Sequence, residues 1–375
     1  MTRIVLPLLL LCTFLFKGAA QDKNIDAQAI AIPAANTTTV DALAAYIKQH
    51  FTTDTARIRA IYVWVAHNIS YDLARLQAQQ NKPNTKPQTV AEVLATRSAV
   101  CQGYSDLFVA LCKGVGIQAM VVGGYTKMGG KVSPIPHAWV AALLGGEWLL
   151  FDPTWGAGYV KDNQYVKWFN NTFYKVPPAK LIADHMPFDP MYQFLSNPLS
   201  HKEFIESTPV AQKAVFNYKD SLKAYSQLSA DQQLAAELRR LQAAGVQNDQ
   251  LLQRQQYLQM ALQAYASNGA FEDGGKAFNA AIDLYKEYIG HKNKQFSTIP
   301  DTDLRQMVDQ MEQHIKRARA VLLTAEAKSD AQRQAKTGNI ANIDRFWAQL
   351  TKEKDFTAQY FAADAAGRRL LFTRR

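Results

Sequence analysis

The sequence predicts an α+β domain followed by an all-α region, and three observations support this prediction. Apolar runs of strand length occupy residues 116–126, 137–144 and 147–152, and Gly145-Gly146 between the last two is typical of a hairpin turn. Amphipathic segments with helical spacing lie before and between these runs. From about residue 209 the composition changes to Ala, Gln, Leu, Lys and Glu with almost no strand pattern, which predicts helices alone.

Three helices are predicted in the α+β part, at residues 40–51, 53–67 and 101–113. Thr38 or Thr39 is a suitable N-cap for the first helix, and Gly114 is predicted to end the third. Residues 76–88, rich in Gln, Asn, Lys and Pro, are predicted as a loop that either shapes a nearby site or is a solvated insertion. Residues 160–205 are aromatic and Pro-rich and are predicted to wrap over the domain.

The chain has 375 residues, which is enough for two domains. The predicted organisation is a signal peptide at 1–20, a linker at 21–38, an α+β domain at 39–208 and a helical domain of unknown role at 209–375. The helices predicted in the last domain are 231–243, 250–266, 276–290, 301–328 and 340–352, separated by glycines and Pro300. This pattern favours a bundle or a repeat-like helical array.

Residues 1–20 have the pattern of a secretory signal. Arg3 supplies the positive start, residues 4–16 the apolar run and Gly18-Ala-Ala20 a small-residue cleavage site. The apolar run is too short to span a bilayer comfortably, and no later stretch approaches the required length. The sequence therefore predicts an exported protein, periplasmic or extracellular, with a cleaved signal peptide and no transmembrane segment.

Charge and cysteine usage exclude several classes of function. The formal net charge is +10, but no nucleic-acid-binding motif accompanies it, so the excess predicts only weak attraction to anionic cell-envelope surfaces. Cys101 and Cys112 share one predicted helix and are too far apart along it for a disulfide. No cluster of Cys and His has metal-ligand spacing, and no glycine-rich loop opens a helix. We therefore expect no metal, no cofactor and no nucleic-acid partner.

Cys101, His137 and Asp152 have the types and positions that thiol chemistry needs. Cys101 opens an apolar helix, and a helix N-terminus together with a neighbouring imidazolium stabilises a thiolate. His137 and Asp152 lie on the two arms of the predicted hairpin, where paired positions bring side chains into contact. Asp152 could then orient one nitrogen of His137 while the other faces Cys101.

The motifs around these residues resemble the bacterial transglutaminase-like superfamily, which has a papain-like thiol fold. These motifs are Ala-Val-Cys101-Gln-Gly-Tyr-Ser, Pro136-His137-Ala-Trp-Val, Leu-Phe-Asp152-Pro-Thr-Trp155 and, similar to the cytokinesis-protein branch, His185-Met-Pro-Phe-Asp-Pro190. The resemblance covers roughly residues 50–205 and implies a nucleophile helix packed on an antiparallel sheet. It also implies Cys101 as nucleophile, His137 as general base and Asp152 as the residue that orients the base. Members of the superfamily include amide hydrolases, crosslinking acyltransferases and inactive scaffolds.

Acyl transfer requires hydrogen-bond donors for the oxyanion of the tetrahedral intermediate. The backbone N–H of Cys101 can supply one donor. A second is expected from a side chain before the nucleophile helix, and Tyr71, Trp64 and Gln88 are the candidates.

Four further residues are candidates near the site. Gln102 and Gly103 follow the nucleophile and are expected on the substrate side, where Gly103 would let a substrate backbone approach closely. Trp139 shares a strand face with His137 and either forms a wall of the site or fills the core. His185 is either a second base or, in the more frequent role, a structural histidine bonded to backbone.

The expected function is thiol-dependent acyl transfer on protein or peptide amides by an exported, cofactor-free enzyme. A thioester on Cys101 would be resolved by water or by an amine, and hydrolysis of a protein or a cell-wall peptide is favoured because water is the default acceptor. An inactive scaffold, whose helical domain engages a cell-envelope partner, is the alternative. In a third arrangement the helical half masks the catalytic site.

Overall fold

The structure is a computed structural model that describes residues 23–81, 86–208, 213–327 and 329–373. The predicted signal peptide at 1–20, and residue 209, predicted to open the helical domain, lie outside the described residues. The chain divides into two compact units, one formed by 1–229 with 236–255 and the other by 230–235 with 256–375. The predicted domain boundary between 208 and 209 remains a prediction. Among the described residues, no helix combines the length and apolarity that a membrane crossing requires.

The first unit contains an antiparallel sheet of four strands. The strands of the described residues are β1 (Ser70–Tyr71), β2 (Ser98–Ala99), β3 (Ala119–Met128), β4 (Lys131–Leu144), β5 (Glu147–Phe151), β6 (Gly158–Lys161), β7 (Gln164–Lys167) and β8 (His185–Pro187). The main sheet has the order β5-β4-β3-β8, while β1 pairs with β2 and β6 pairs with β7 in separate two-stranded sheets. Its first three strands in sequence are the three predicted ones, and β8 was not predicted as a strand.

Helices make up most of the remaining described residues. They are α1 (23–30), α2 (Val40–His50), α3 (Asp54–Asn68), α4 (Leu73–Asn81), α5 (Val90–Thr96), α6 (Cys101–Val115), α7 (Pro153–Ala157), α8 (Pro178–Leu181), α9 (His201–Glu206), α10 (Tyr218–Ser226), α11 (Ala230–Ala244), α12 (Asp249–Asn293), α13 (Asp301–Thr324), α14 (Asp330–Ala362) and α15 (Ala365–Leu371). The predicted fold class, an α+β core followed by helices, is therefore confirmed.

The nucleophile helix α6 packs closely against α2. It ends at Val115, and Gly116 closes it with a left-handed φ of +87°. Gly114, predicted as the end of the helix, lies inside it. A Cβ there would come 2.5 Å from Cβ of Ala44 on α2, so the glycine allows the two helices to approach closely. Phe108 on the same helix packs against Phe151 of β5, with ring centroids 5.5 Å apart. These contacts fix the start of α6 relative to the sheet.

Part of the segment predicted as a linker is helical and belongs to the first unit. Within 21–38, residues 23–30 form α1, and Ile25 and Ala29 are buried in the core. Arg59 of α3 holds this helix through two hydrogen bonds of 2.6 Å, donated from Nε and Nη2 to the two carboxylate oxygens of Asp26. The guanidinium is almost fully buried, so its charge needs this bidentate partner.

The predicted loop at 76–88 begins later than expected, because α4 continues to Asn81. Asp72 precedes this helix, and its Oδ1 accepts the backbone N–H of Arg75 at 2.8 Å, which is a helix-capping contact. Ala, Leu, Arg and Gln are good helix formers, and the polar composition of the segment concealed this preference.

The C-terminal part of the chain has longer helices than predicted. The segments 250–266 and 276–290 are parts of the single helix α12, and 340–352 is the middle of α14. Gly274 and Gly275 were expected to interrupt α12. A glycine lowers the stability of a helix by only about 1 kcal/mol relative to alanine, and tertiary packing readily offsets this loss. A Cβ on Gly274 would come 2.6 Å from Cγ of Leu322 on α13, so this glycine serves a close approach between helices.

Candidate active site

Cys101 is the first residue of α6, as predicted, and its side chain is partly exposed. The N-cap residue Val100 has no side chain that can accept from the first turn. The N–H groups of that turn are therefore not satisfied by a capping side chain, and the helix dipole favours negative charge at this end. Both effects suit a thiolate or an oxyanion.

His137 and Asp152 are brought together by the hairpin of β4 and β5. The register pairs Val140 with Phe151, so Asp152 leaves the sheet beside the part of β4 that carries His137. Nε2 of His137 donates to Oδ2 of Asp152 at 2.7 Å, and the side chain of Asp152 is fully buried while that of His137 is 9% exposed. The contact expected from the hairpin pattern is therefore present in the structure.

Asp152 accepts four hydrogen bonds in a fully buried position. Its Oδ1 accepts the backbone N–H groups of Thr154 at 2.9 Å and Trp155 at 3.0 Å, because Asp152 is the N-cap of α7. Its Oδ2 accepts from His137 and, at 3.1 Å, from Nε2 of His185. Burial alone would raise the pKa of this carboxyl, but the charges and hydrogen bonds of the two histidines outweigh burial and hold the pKa well below its ordinary value.

His137 connects Asp152 to the nucleophile. Burial lowers the pKa of its imidazole, but the charge and hydrogen bond of Asp152 and a hydrogen bond with Cys101 raise it to about 10. Because Asp152 accepts from Nε2, Nδ1 is the nitrogen left for the thiol of Cys101. The imidazole is therefore held in its charged form at neutral pH, next to a partly exposed sulfur.

His185 is placed differently from the more frequent role expected for it. Instead of bonding backbone, Nε2 contacts Oδ2 of Asp152 and Nδ1 contacts Oδ1 of Asp184 at 2.5 Å. It lies on β8, where it pairs with Thr126 of β3. The ring is fully buried, and the centroid of the Trp155 ring lies 4.6 Å from its own. Only the downstream motif signalled this residue in the sequence.

Tyr71 and Trp139 also lie close to these groups. β1 pairs with β2 in parallel and places Tyr71 opposite Ala99, two residues before the nucleophile. Burial raises the pKa of the Tyr71 hydroxyl, and Cys101 and Asp152 add to this effect, so the hydroxyl keeps its proton at neutral pH. Trp139 is buried and packs edge-on against His185, with ring centroids 5.1 Å apart, so it belongs to the core beneath the site.

The other candidates have contacts elsewhere in the structure. Gln102 is exposed, and its amide donates to Asp106 one turn later on α6 at 2.9 Å. A Cβ on Gly103 would come 2.9 Å from Cβ of Ala99, so this glycine serves helix packing. Trp64 is buried in the core, and the amide of Gln88 donates to the carbonyl of Ser98 at 2.8 Å.

A cleft of about 680 Å³ opens beside His137. Its walls include α4, the β3–β4 turn region and the β6–β7 hairpin, with Tyr71, Trp155 and Phe173 among the lining residues. His137 lies on the cleft wall, whereas Cys101 is not one of the lining residues.

His137, Asp152 and His185 also have a donor set that metal ions use, with one atom of each within 4.8 Å of the others. In the structure Oδ2 of Asp152 already accepts a hydrogen bond from Nε2 of each of the two rings. A metal ion would require both ring nitrogens to lose their protons and to turn their lone pairs away from this contact. The observed arrangement therefore fits an acid–base pair better than a metal centre.

Comparison with known proteins finds a family match in the part of the chain that carries the candidate site. Residues 41–153 match the family model of the transglutaminase-like superfamily, a span that includes Cys101, His137 and Asp152. Kyphoscoliosis peptidase from Homo sapiens is 33% identical over 198 residues, which cover 51% of this chain and 29% of that protein. Hillarin from Drosophila melanogaster is 22% identical over 215 residues, which cover 52% of this chain and 25% of that protein. The chain thus spans less than a third of the length of these relatives.

Two solved structures are also similar to the chain. A candidate cysteine protease from Cytophaga hutchinsonii is 27% identical, with 36% of this chain and 43% of that chain covered and a TM-score of 0.25. A TGase is 19% identical, with 37% and 38% covered and a TM-score of 0.25.

Proposed function

Since residues 41–153 form a transglutaminase-like domain, we propose that this chain catalyses thiol-dependent acyl transfer on protein or peptide amides. The single observation that carries the proposal is the hydrogen bond of 2.7 Å from Nε2 of His137 to Asp152, which leaves Nδ1 of the ring for the thiol of Cys101 at the start of α6. A nucleophile, a base and a residue that orients the base, in that order, are the minimum set for covalent acyl transfer. The roles are those predicted from the sequence.

In the first half-reaction, Sγ of Cys101 attacks the carbonyl carbon of the amide. In this step the thiol proton passes to His137, whose pKa of about 10 favours the imidazolium at neutral pH. The tetrahedral intermediate collapses when the imidazolium gives that proton to the leaving nitrogen and the C–N bond breaks. The products are a free amine and a thioester on Cys101.

Two donors are proposed for the oxyanion of the intermediate. One is the backbone N–H of Cys101, at the uncapped start of α6. The other is the hydroxyl of Tyr71, because the remaining candidates do not fit: Trp64 is in the core and Gln88 donates elsewhere. Its raised pKa keeps Tyr71 a donor throughout the neutral range.

In the second half-reaction, neutral His137 takes a proton from water or from an amine, which attacks the thioester carbonyl. Expulsion of the Cys101 thiolate gives a carboxylic acid with water and a new amide with an amine. We propose hydrolysis as the main reaction, because water is the default acceptor unless a site excludes it.

One observation favours an alternative, in which the domain only binds a partner and the helical unit contributes to that role. The cleft leads to His137 but Cys101 does not line it, so a ligand can occupy the cleft without meeting the sulfur. In this alternative Cys101 is an ordinary thiol, and the partner is a component of the cell envelope.

The test is the rate of iodoacetamide alkylation of Cys101 as a function of pH, in the wild-type chain and in His137→Ala. Cys112 contributes little, because burial raises the pKa of its thiol, and the variant Cys101→Ala measures that background directly. We expect fast alkylation that persists well below the ordinary thiol pKa of about 8.5 and is lost in His137→Ala. Slow alkylation that follows an ordinary thiol in both proteins would contradict the proposed enzyme and leave the binding alternative.

We also propose that the protein acts outside the cytoplasm, on the basis of the signal-like pattern of residues 1–20. N-terminal sequencing of protein recovered from the medium or the periplasm tests this. Recovery only from the cytoplasm with residues 1–20 still attached would contradict export.

A further inference from the structure

The cleft beside His137 has an unusual composition. Charged residues make up 20% of the chain, yet none of the 21 cleft-lining residues within the described part of the chain is Asp, Glu, Lys or Arg. More than half of them are aliphatic or aromatic. The imidazolium of His137 on this wall is already paired with Asp152. A charged ligand group entering the cleft would therefore lose its hydration without gaining an uncommitted ion partner from the described wall residues, which is unfavourable.

Four apolar side chains on the cleft wall are strongly exposed to water. Met128 is 66% exposed, Trp168 65%, Tyr159 50% and Val160 47%. A contiguous exposed apolar surface of this kind marks a site that a ligand or a partner covers. Because His137 lines the same cleft, a ligand that covers these apolar side chains also lies beside the candidate catalytic centre.

The polar residues of the cleft offer a second type of contact. Gln77, Gln80 and Asn163 line it with exposed side-chain amides. Each amide presents both a donor and an acceptor, which is the complement of a peptide unit. Asn163 is held at the tip of the β6–β7 hairpin by a left-handed φ of +57°.

We infer that this cleft binds a polypeptide segment that is uncharged and carries aliphatic or aromatic side chains, and that this segment is the acyl donor. The inference rests on the proposed acyl transfer and names its substrate class. The apolar side chains of the cleft wall pack against the apolar groups of the segment, and the side-chain amides form hydrogen bonds with its backbone. A cell-wall peptide, rich in carboxylates and ammonium groups, does not fit these walls.

The test measures binding apart from catalysis, in the full-length Cys101→Ala chain. The probes are three dye-labelled ten-residue peptides with one backbone sequence of Gly, Ser and Ala, in which two central positions are both Leu, both Glu or both Lys. Fluorescence anisotropy gives the dissociation constants. We expect the Leu peptide to bind at least about tenfold more tightly than either charged peptide, since burial of one aliphatic side chain accounts for roughly this factor.

Variants locate the binding surface. Trp168→Ser and Tyr159→Ser, each in the Cys101→Ala background, are expected to weaken binding of the Leu peptide about tenfold. Val215→Ser is the matched control, because Val215 is 83% exposed but does not line the cleft, and it should bind as the parent does. Equal binding of the three peptides, tighter binding of a charged one, no binding at all, or no effect of the cleft variants would overturn the inference.

Alkylation of Cys101 separates this inference from the proposed function. Alkylation in the wild type and in His137→Ala reports on the thiol, whereas peptide binding by the Cys101→Ala chain reports on the cleft. Selective peptide binding together with an ordinary thiol would support the proposed specificity of the cleft and contradict the proposed acyl transfer. An activated thiol together with unselective binding would support the proposed acyl transfer and contradict the proposed specificity of the cleft.

Discussion

His137 and His185 donate to the same oxygen of Asp152, from 2.7 Å and 3.1 Å. The other oxygen of this carboxylate accepts two backbone N–H groups of α7. Four donors around one buried carboxylate leave it little freedom to rotate, and this fixes the direction in which it holds His137. His185 is in turn held at Nδ1 by Asp184, so the support extends across the sheet to β8.

We therefore predict that His185 acts as a positioning residue. His185→Phe keeps a ring among the surrounding aromatics but removes the donor to Asp152, and alkylation of Cys101 at neutral pH should slow by about 10- to 100-fold. His185→Gln retains an N–H that can reach the carboxylate and should recover part of the rate. The measurement is the alkylation rate, with circular dichroism to confirm folding.

A second buried histidine provides the control for this prediction. His201 hydrogen-bonds the hydroxyl of Tyr125 at 3.0 Å, and burial lowers its pKa to about 4. His201→Gln should cost stability without changing alkylation. Equal slowing in His201→Gln and His185→Phe, or no recovery in His185→Gln, would show that His185 has only a packing role.

The raised pKa of His137 predicts a pH dependence of stability. The pKa is about 10 in the folded chain and 6.5 in the unfolded one, so the folded state retains a proton that the unfolded state releases. The stabilisation is complete below pH 6.5 and is lost as pH rises through 10. Each unit of difference corresponds to about 1.4 kcal/mol, so the free energy of unfolding should fall by a few kcal/mol over this range.

Urea unfolding at pH 6 and pH 10 measures this effect in the wild type and in His137→Gln. Other groups also titrate in this interval, so the informative quantity is the difference between the two proteins. Wild type should lose more stability than His137→Gln between the two pH values. An equal loss in both would mean that His137 does not carry a raised pKa in the folded protein.

Short-range patterns were enough to predict the positions of Cys101, His137 and Asp152. Each lies at an element boundary or in a hairpin that local sequence reveals: the start of an apolar helix, an apolar strand and the end of the next strand. The hairpin glycines also fix which strands are neighbours. The contact between the base and the residue that orients it followed from that pairing.

The contribution of His185 could not be derived in this way. It lies 33 positions after Asp152, and the contact depends on the short strand β8 pairing with β3. No local periodicity marks a strand of three residues. The role of Gly103 in substrate approach stays a prediction. The structure adds a constraint that its sequence position does not reveal, because a Cβ there would come 2.9 Å from Cβ of Ala99.

Gly124 is predicted to be essential for the position of β8. It pairs with His137 on one side and Pro187 on the other. A Cβ there would lie 2.2 Å from the carbonyl oxygen of Met186 and 2.6 Å from Cη2 of Trp139. Gly124→Ala should therefore destabilise the chain by about 1–3 kcal/mol or more and slow alkylation of Cys101, because β8 carries His185.

The neighbouring glycine is the matched control. A Cβ on Gly123 would meet only the Phe188 ring, at an ordinary 3.7 Å. Gly123→Ala should change the free energy of unfolding, measured in urea, by less than about 0.5 kcal/mol. Similar values for the two variants would show that the space around Gly124 is not the constraint.

The last prediction concerns two adjacent glycines within α12. A Cβ on Gly275 would meet nothing within 4 Å, so Gly275→Ala should stabilise the helix by up to about 1 kcal/mol through helix propensity alone. Gly274→Ala gains the same propensity, but its Cβ would come 2.6 Å from Cγ of the buried Leu322, so it should be neutral or destabilising. Thermal unfolding followed by circular dichroism measures both, and equal stabilisation by the two variants would contradict the close packing of α12 against α13.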